Sequence, residues 1–324
     1  MTPPSPSARV DRSRVASFLL WTLGRLPLRV LRAVGQVLGW IVYMSSCGYR
    51  NKIRANLRRA GLDSPPMRWR AAGEAGRAVG ELPWVWTRPL TRLVERVHCD
   101  DADLQVFERT LHRGGGVLFL TPHLGSFEVA ASWHSARAPI TVLYKPPRKS
   151  WLRPFIARVR DRAQLSAVPP TTGGLRRLLR ALRAGEAVGL LPDQVPAAGD
   201  GRWAPFFGEP AYTMTLPERL AAQTGAAVVV AVCERVSRPA GWRLRLEEMH
   251  ERPEPEALNR CLQRWILHRP EQYLWGYNRY RRPAAAPARP GAQADAAVDA
   301  GRAAGAANAA VPTEAANPDS ADAG

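Results

Sequence analysis

The sequence predicts an α/β fold: a central, mostly parallel or mixed β-sheet flanked by helices, with an N-terminal membrane-associated helical segment. Short, continuous apolar runs of the kind found in strands covered on both faces occur at 115–122, 140–146, 187–193 and 226–233. Helical patterns alternate with these runs, and strands that alternate with helices indicate a sheet with helices packed on its faces.

The clearest helix pattern covers residues 173–185. One side carries a stripe of leucines and the other side carries arginines, as expected for a helix packed on a core: Leu175, Leu178, Leu179 and Leu182 against Arg176, Arg180 and Arg183. Residues 215–224 and 254–268 also show helical patterns.

Residues 15–44 are strongly apolar but contain Pro27 and three arginines, Arg25, Arg29 and Arg32. In one continuous helix the three arginines would share a face opposite leucine and valine. This predicts a helix in the membrane interface, with its arginines toward lipid headgroups. The segment is too interrupted for a clean spanning helix. The same periodicity fits an amphipathic helix packed on the protein's own core, so that alternative stays open.

Composition divides the chain into four segments. We expect a flexible N-terminus (1–14), a membrane-anchoring or interfacial helical segment (15–45), an α/β domain (46–282) and a disordered Ala/Pro-rich tail (283–324). The tail contains 19 alanines among 42 residues and has no apolar periodicity.

The chain is strongly basic, with 46 Lys and Arg against 28 Asp and Glu, a net charge of +18. Such an excess favours an anionic partner: nucleic acid, an acidic protein or an anionic membrane surface. A non-catalytic basic protein that binds nucleic acid or membranes would explain the charge. However, no helix-turn-helix, zinc-finger or aromatic RNA-binding signature is visible, so we expect no nucleic-acid partner. The four cysteines are scattered without metal-ligand spacing, which predicts reduced thiols in a cytosol-facing protein and no metal site.

The candidate chemistry lies in "HLGSFE", where His123 follows the first apolar run and Glu128 comes five residues later. The carboxyl end of a buried strand is where α/β folds usually place their sites. Gly125 and Ser126 can turn the chain and cap a helix, which puts Glu128 in its first turn. Histidine could then take a proton from a hydroxyl while glutamate orients the ring and stabilises the imidazolium. The spacing alone fits an ordinary loop histidine at least as well.

His-x-x-x-x-Asp/Glu after a strand resembles the lysophospholipid-acyltransferase-like superfamily, and further stretches resemble its lipid A late acyltransferase branch (the lauroyl/myristoyl transferases). These stretches follow in the order expected of that branch: "RNKIRANLRRAG" (50–61), "YKPPRKSWLRPFIARVR" (144–160), "LRAGEAVGLLPDQ" (182–194), "APFFGEPAYTMT" (204–215) and "EQYLWGYNRYRRP" (271–283).

The resemblance implies transfer of a fatty acyl chain from acyl carrier protein to a hydroxyl of a lipid A precursor. His123 would be the general base, assisted by Glu128. It also implies candidates for oxyanion stabilisation or substrate binding: Arg160, Asp193, Arg158, Lys145 and Arg148. Among these we expect Asp193 to position a loop or pair with an arginine. Lys145 stands where the family usually has arginine, which keeps the charge but loses bidentate geometry.

The implied partners are acyl carrier protein, a phosphorylated glycolipid acceptor and an anionic membrane surface. The enzyme would lie at the cytoplasmic face of the bacterial inner membrane, peripheral or single-pass. The carrier-protein thioester would serve as co-substrate, without any other cofactor. A lysophospholipid, an aminolipid or another glycolipid remains an alternative acceptor.

Overall fold

The computed structural model describes residues 12–144, 164–237 and 239–290. The described residues up to Ala285 belong to one compact unit. Its helices are α1 (Arg12–Leu23), α2 (Leu28–Ser45), α3 (Cys47–Arg59), α4 (Pro65–Gly80), α5 (Leu82–Thr87), α6 (Leu90–Val94), α7 (Asp101–His112), α8 (Phe127–Ser135), α9 (Thr172–Arg183), α10 (Leu216–Thr224) and α11 (Pro255–His268). Its strands are β1 (Val97–Cys99), β2 (Val117–Leu120), β3 (Ile140–Leu143), β4 (Leu165–Val168), β5 (Ala187–Leu190), β6 (Gly201–Phe206), β7 (Glu209–Met214), β8 (Ala227–Val236) and β9 (Gly241–Glu248).

The predicted mostly parallel or mixed sheet is confirmed. Seven strands form it in the order β1-β9-β8-β2-β5-β3-β4, and β6 and β7 form a separate antiparallel hairpin. Within the large sheet all neighbours are parallel except the pair β8–β9. Strand β2 is a central strand with β8 on one side and β5 on the other, so its carboxyl end has a neighbouring strand end on both sides.

Both faces of the sheet are covered, as the continuous apolar runs predict. Side chains of β2 alternate between two buried clusters, since successive residues of a strand point to opposite faces. Leu118 and Leu120 belong to one cluster, together with Leu178 of α9. Val117 and Phe119 belong to the other cluster, on the opposite face.

The N-terminal segment is helical but is divided into two helices. Helix α1 ends at Leu23 and α2 begins at Leu28, after Pro27. Proline disfavours helical backbone in the residue before it and lacks the N–H that a continuous helix would need. Arg25 therefore lies in the connecting turn rather than on a common face with Arg29 and Arg32.

Helices α2 and α4 approach each other closely at four glycines, Gly35, Gly39, Gly76 and Gly80. A β-carbon added at Gly76 would lie only 2.1 Å from the carbonyl oxygen of Gly35. Small residues at such positions allow the two helix backbones to touch.

The outer surface of α1 and α2 is apolar, and we call it the outer face. Twelve large apolar side chains between residues 18 and 44 are exposed, among them Trp21 at 48% and Leu38 at 55%: Phe18, Leu19, Trp21, Leu23, Leu26, Val30, Val34, Val37, Leu38, Ile41, Val42 and Met44. Scattered exposed apolar residues are ordinary, but a contiguous face of this size indicates an interaction surface.

Among the described helices, none is by itself long and apolar enough to cross a bilayer. Helices α2 and α3 meet that length and composition only as a pair, and the two are bent by 98° relative to each other.

Candidate active site

The candidate site forms where β2 and β5 end side by side. The two strands are parallel, with Leu120 opposite Leu190, and the Thr121 N–H donates to the Leu190 carbonyl at 2.9 Å. His123 follows β2 by three residues and Asp193 follows β5 by three residues. Because the carboxyl ends of neighbouring parallel strands meet at one edge, the sheet brings these two residues together.

Asp193 holds His123 through two contacts. The backbone N–H of His123 donates to Asp193 Oδ2 at 2.9 Å, and His123 Nδ1 lies 2.7 Å from Asp193 Oδ1. An ionised carboxylate can only accept hydrogen bonds, so we assign the Nδ1 proton to the neutral imidazole. The lone pair of Nε2 then accepts a hydrogen bond from the Gln194 amide at 3.0 Å. This tautomer leaves Nε2 able to take a proton.

The Asp193 carboxylate remains ionised although its side chain is only 2% exposed. Burial opposes ionisation, but the charge that His123 carries when protonated, its hydrogen bonds and the charge of Arg279 outweigh it. The pKa of Asp193 therefore lies below its ordinary value. A buried anion hydrogen-bonded to Nδ1 fixes the ring and stabilises the imidazolium that forms when Nε2 is protonated. The expectation that Asp193 pairs with an arginine or merely positions a loop misses this contact.

The backbone after His123 is fixed from several sides. The Leu274 N–H donates to the His123 carbonyl at 3.1 Å, and the Gly125 N–H donates to the Gln272 carbonyl. Arg235 Nη1 donates to the Gly125 carbonyl at 2.6 Å. Gly125 has a φ of 64°, and a β-carbon there would lie 2.1 Å from the Cys233 carbonyl oxygen. Only glycine fits this turn, which aims the histidine out of the sheet edge.

An apolar groove of about 640 Å³ runs from α1 along the α2–α4 pair to the histidine. Its volume lies within the range of about 300–1,000 Å³ typical of small-molecule sites. Most of the walls are aliphatic side chains and glycine backbone, and the polar groups come from His123, Asp193, Gln194 and three tyrosines, Tyr49, Tyr273 and Tyr277. The apolar part of the lining consists mainly of Leu23, Leu31, Val34, Gly35, Leu38, Gly39, Val42, Ala75, Gly76, Val79, Gly80 and Pro83. This shape suits an extended apolar chain whose polar end lies at His123.

Glu128 is placed in the first turn of α8, as the sequence predicts, and is half-buried. It lines a smaller pocket of about 60 Å³ with Trp86 and Leu165. Phe127 lines the same pocket and packs its ring 5.0 Å from the His123 ring. Glu128 was expected to orient the imidazole, and in the structure Asp193 contacts the ring at Nδ1. The other candidates, Lys145, Arg148, Arg158 and Arg160, lie outside the described residues.

The N-terminal and C-terminal signature stretches meet behind the site. Asn56, from "RNKIRANLRRAG", donates to the carbonyls of Trp275 and Tyr277, both at 2.7 Å. The Tyr277 hydroxyl accepts from the Val195 N–H, two residues after Asp193. Arg279 is buried and donates to the Tyr212 carbonyl and the Thr213 hydroxyl. These residues hold the loop after β5 in place, a role that their spacing in the sequence does not reveal.

His134, in α8, is a packing residue. Its ring packs edge-on against Phe107 and Phe119, and burial lowers its pKa to about 4. Within the described ranges, no group of three or more His, Cys, Asp or Glu side chains is arranged to hold a metal ion. The four cysteines all lie in the described part of the chain and are free thiols.

Comparison with known proteins assigns the chain to a family. Residues 9–282 match the bacterial lipid A biosynthesis acyltransferases, which covers most of the chain. The chain belongs to the lipid A biosynthesis acyltransferase family. The resemblance seen in the order of its sequence stretches is thereby confirmed, and a purely non-catalytic basic protein is disfavoured.

Individual relatives include acyltransferases with different acceptors. The Escherichia coli (strain K12) lipid A biosynthesis palmitoleoyltransferase is 28% identical over 213 residues, which is 64% of this chain and 68% of that protein. The Haemophilus influenzae lipid A biosynthesis acyltransferase is 27% identical over 183 residues, 53% of this chain and 56% of that protein. The Mycobacterium tuberculosis (strain H37Rv) phosphatidylinositol mannoside acyltransferase is 29% identical over 218 residues, 62% of this chain and 65% of that protein.

Proposed function

We propose that this acyltransferase moves a fatty acyl chain from acyl carrier protein to a hydroxyl of a phosphorylated lipid A precursor. The observation that carries the proposal is the His123–Asp193 pair at the polar end of an apolar groove. Such a pair is suited to deprotonating a hydroxyl, and the groove is suited to holding a fatty acyl chain beside it.

In the proposed reaction, Nε2 of His123 takes the proton of the acceptor hydroxyl as its oxygen attacks the thioester carbonyl carbon. The resulting tetrahedral oxyanion collapses, the carbon–sulfur bond breaks, and an ester remains on the acceptor. The imidazolium returns its proton to the departing thiolate. For the acceptor oxygen to approach Nε2, the Gln194 amide, now 3.0 Å from Nε2, must move aside.

The roles of the remaining candidates follow from their charge. Since Nδ1 is already held by Asp193, Glu128 is proposed to assist through its negative charge on the imidazolium rather than by orienting the ring. Arg160, with Arg158, Lys145 and Arg148, is proposed to stabilise the oxyanion and bind the anionic substrates. No cofactor beyond the carrier-protein thioester is required.

We further propose that the outer face lies in the cytoplasmic leaflet of the inner membrane. Several groove-lining side chains, including Val34, Leu38 and Val42, are also part of the outer face. An acyl chain could therefore pass between the bilayer and the groove without crossing water.

The test is transfer of radiolabelled acyl groups from acyl carrier protein to a tetra-acylated, phosphorylated lipid A precursor in detergent. We expect His123→Ala to lose at least roughly a hundredfold in kcat, as removal of a general base predicts. The matched control is His112→Ala, a change at an exposed histidine on α7, which should retain activity. Full activity of His123→Ala would overturn the mechanism.

A second acceptor class is favoured by the mycobacterial relatives, which are named for phosphatidylinositol mannoside. The same assay with that acceptor separates the two. Transfer to phosphatidylinositol mannoside without transfer to the lipid A precursor would keep the His123 chemistry and change the acceptor. Transfer to neither, with any donor thioester, would contradict both assignments.

A further inference from the structure

A second cavity, of about 420 Å³, lies on other faces of α2 and α4 than the apolar groove. The groove uses Leu31, Val34 and Leu38 of α2, whereas this cavity uses Arg29, Arg32, Ala33 and Gln36 of that helix. We call it the arginine cavity. Five guanidinium groups line it, with two carboxylates: Arg29, Arg32, Arg77, Arg235 and Arg269, with Glu74 and Glu271. His123, Asp193 and Glu128 do not line it.

Arg32 and Arg77 build the walls and use their terminal nitrogens in hydrogen bonds within the protein. Arg32 donates to Glu81 at 2.8 Å and to the carbonyls of Val236 and Gly241 at 2.9 and 3.0 Å. Arg77 joins Glu74 at 2.7 Å to Gln36 at 2.9 Å. These bonds make the cavity a fixed feature rather than a gap between mobile side chains.

Other guanidinium groups keep donors unused. Arg29 is exposed, and it forms no ion pair within the part of the chain that the structure describes. Arg269 contacts Glu234 through Nε at 3.2 Å, which leaves its two terminal nitrogens for other acceptors. The Arg235 side chain is only 3% exposed. Its Nη2 has no hydrogen-bond partner among the described residues. Because Nη2 has less than 1 Å² of accessible surface, Arg235 acts on an anion in the cavity through its charge and not through a direct contact.

The charges at the cavity favour an anion. Glu74 is bonded to both Arg77 and Arg235, and Glu271 is the other carboxylate in the lining. Behind the walls, Glu81 pairs with Arg32 and, at 3.6 Å, with Arg235, and Glu234 pairs with Arg269. The positive charge left without a carboxylate is therefore that of Arg29, at the rim.

The rim of the arginine cavity coincides with the edge of the outer face. Arg29 is adjacent in sequence to Val30 and three residues from Leu26, both exposed apolar side chains of that face. When an apolar helix face enters a bilayer, arginines at its margin lie at the depth of the lipid phosphates. Arg29 is thus placed where a headgroup phosphate would be found.

We propose that the arginine cavity binds a phosphate group, from either an anionic lipid headgroup or free phosphate. Arg29 and Arg269 contact its oxygens at the rim, because a guanidinium group can donate two parallel hydrogen bonds to a phosphate. Arg235 provides positive charge from the buried side. The headgroup source rests on the proposed membrane placement, whereas the phosphate site itself does not require it.

The test uses the full-length protein and a double variant, Arg29→Gln with Arg269→Gln. The matched control is Arg176→Gln with Arg180→Gln, which removes the same charge from exposed positions of α9. One arm measures thermal stabilisation by inorganic phosphate against chloride at equal ionic strength. The other arm measures co-sedimentation with phosphatidylcholine vesicles with and without phosphatidic acid.

We expect the cavity variant to lose phosphate stabilisation, or to lose at least about fivefold in binding to phosphatidic acid vesicles, while the control resembles wild type. A loss confined to the vesicle arm identifies a lipid headgroup, and a loss confined to the phosphate arm identifies the free anion. Equal behaviour of the cavity and control variants in both arms would overturn the proposal. If wild type binds no vesicles, the membrane placement fails, and the phosphate arm still decides the site.

Discussion

Helices α2 and α9 both contain apolar residues and arginines, but α9 exposes its arginines whereas α2 exposes many of its apolar residues. In α9, Leu178, Ala181 and Leu182 are buried and the arginines are exposed. In α2, Arg32 is buried with Leu28 and Leu31, while the valines, leucines and isoleucine of the outer face are exposed. The same alternation of apolar and arginine residues therefore gives an ordinary water-facing helix in one place and an inverted helix in the other.

The inversion supports the proposal that the outer face of α2 lies against lipid. Full burial of a large apolar side chain contributes roughly 1.5–3 kcal/mol, and the twelve side chains of the outer face remain 40–64% exposed. A lipid surface would recover much of this free energy. Substitutions on α2 and α9 should therefore have different effects on membrane binding and stability.

The largest effect is expected from charges on the outer face. Val37→Asp with Ile41→Asp changes two exposed residues of α2 that do not line the groove. Placing a carboxylate in hydrocarbon costs about 2.5–3.5 kcal/mol, so the double variant should bind vesicles at least roughly a hundredfold more weakly. Vesicle co-sedimentation measures this. Arg176→Gln with Arg180→Gln on α9 lowers the net charge equally and should weaken binding far less; an equal loss would remove the distinction between the helices.

The next effect concerns the one arginine that α2 buries. Arg32→Met leaves Glu81, whose side chain is 1% exposed, without its 2.8 Å partner. Breaking a buried pair costs about 3–5 kcal/mol, so the free energy of unfolding should fall by about 3 kcal/mol. Arg180→Met on α9 should change it by less than about 0.5 kcal/mol. Urea unfolding of both variants in mild detergent provides the comparison, and similar midpoints would show that the Arg32 network does not stabilise the fold.

The periodicity of the sequence predicts both helices but not which side of each is covered. The leucine stripe of 173–185 is correctly assigned to the core. In residues 15–44 the arginines were expected to share an outward face, yet Arg32 bonds to Glu81 and to two carbonyls of the sheet. Such a contact joins positions 49 to 209 residues apart, and helical spacing carries no information about it.

In the candidate active site, too, local sequence pattern does not reveal a contact between distant residues. His123 can be selected from its place at the end of an apolar run and from the family resemblance. Its partner Asp193 lies 70 residues away, and the two meet because β2 and β5 are neighbours in the sheet. Since strand order is not readable from local pattern, the nearer carboxylate, Glu128, was the natural choice from sequence.

A smaller effect is expected from glycine substitutions in the two packing environments. Gly76→Ala would place a β-carbon 2.1 Å from the Gly35 carbonyl oxygen, so α2 and α4 must separate, at a cost of roughly 1–3 kcal/mol. Gly173→Ala in α9 meets nothing closer than 4.0 Å. It should stabilise the helix by up to about 1 kcal/mol. Thermal unfolding measures both variants. If their midpoint temperatures shifted in the same direction, the close packing of α2 on α4 would be contradicted.

If Asp193 supports the proton transfer by His123, the loss of its negative charge should slow acyl transfer more than the same change at Glu128. Matched carboxylate-to-amide variants separate the two residues. We would measure kcat for acyl transfer from acyl carrier protein by wild type, Asp193→Asn and Glu128→Gln. The asparagine amide carries no negative charge to stabilise the imidazolium, so Asp193→Asn should lose about 10²–10⁴ in kcat. Glu128→Gln should lose clearly less. Near-wild-type transfer by Asp193→Asn, or a larger loss in Glu128→Gln, would contradict the account.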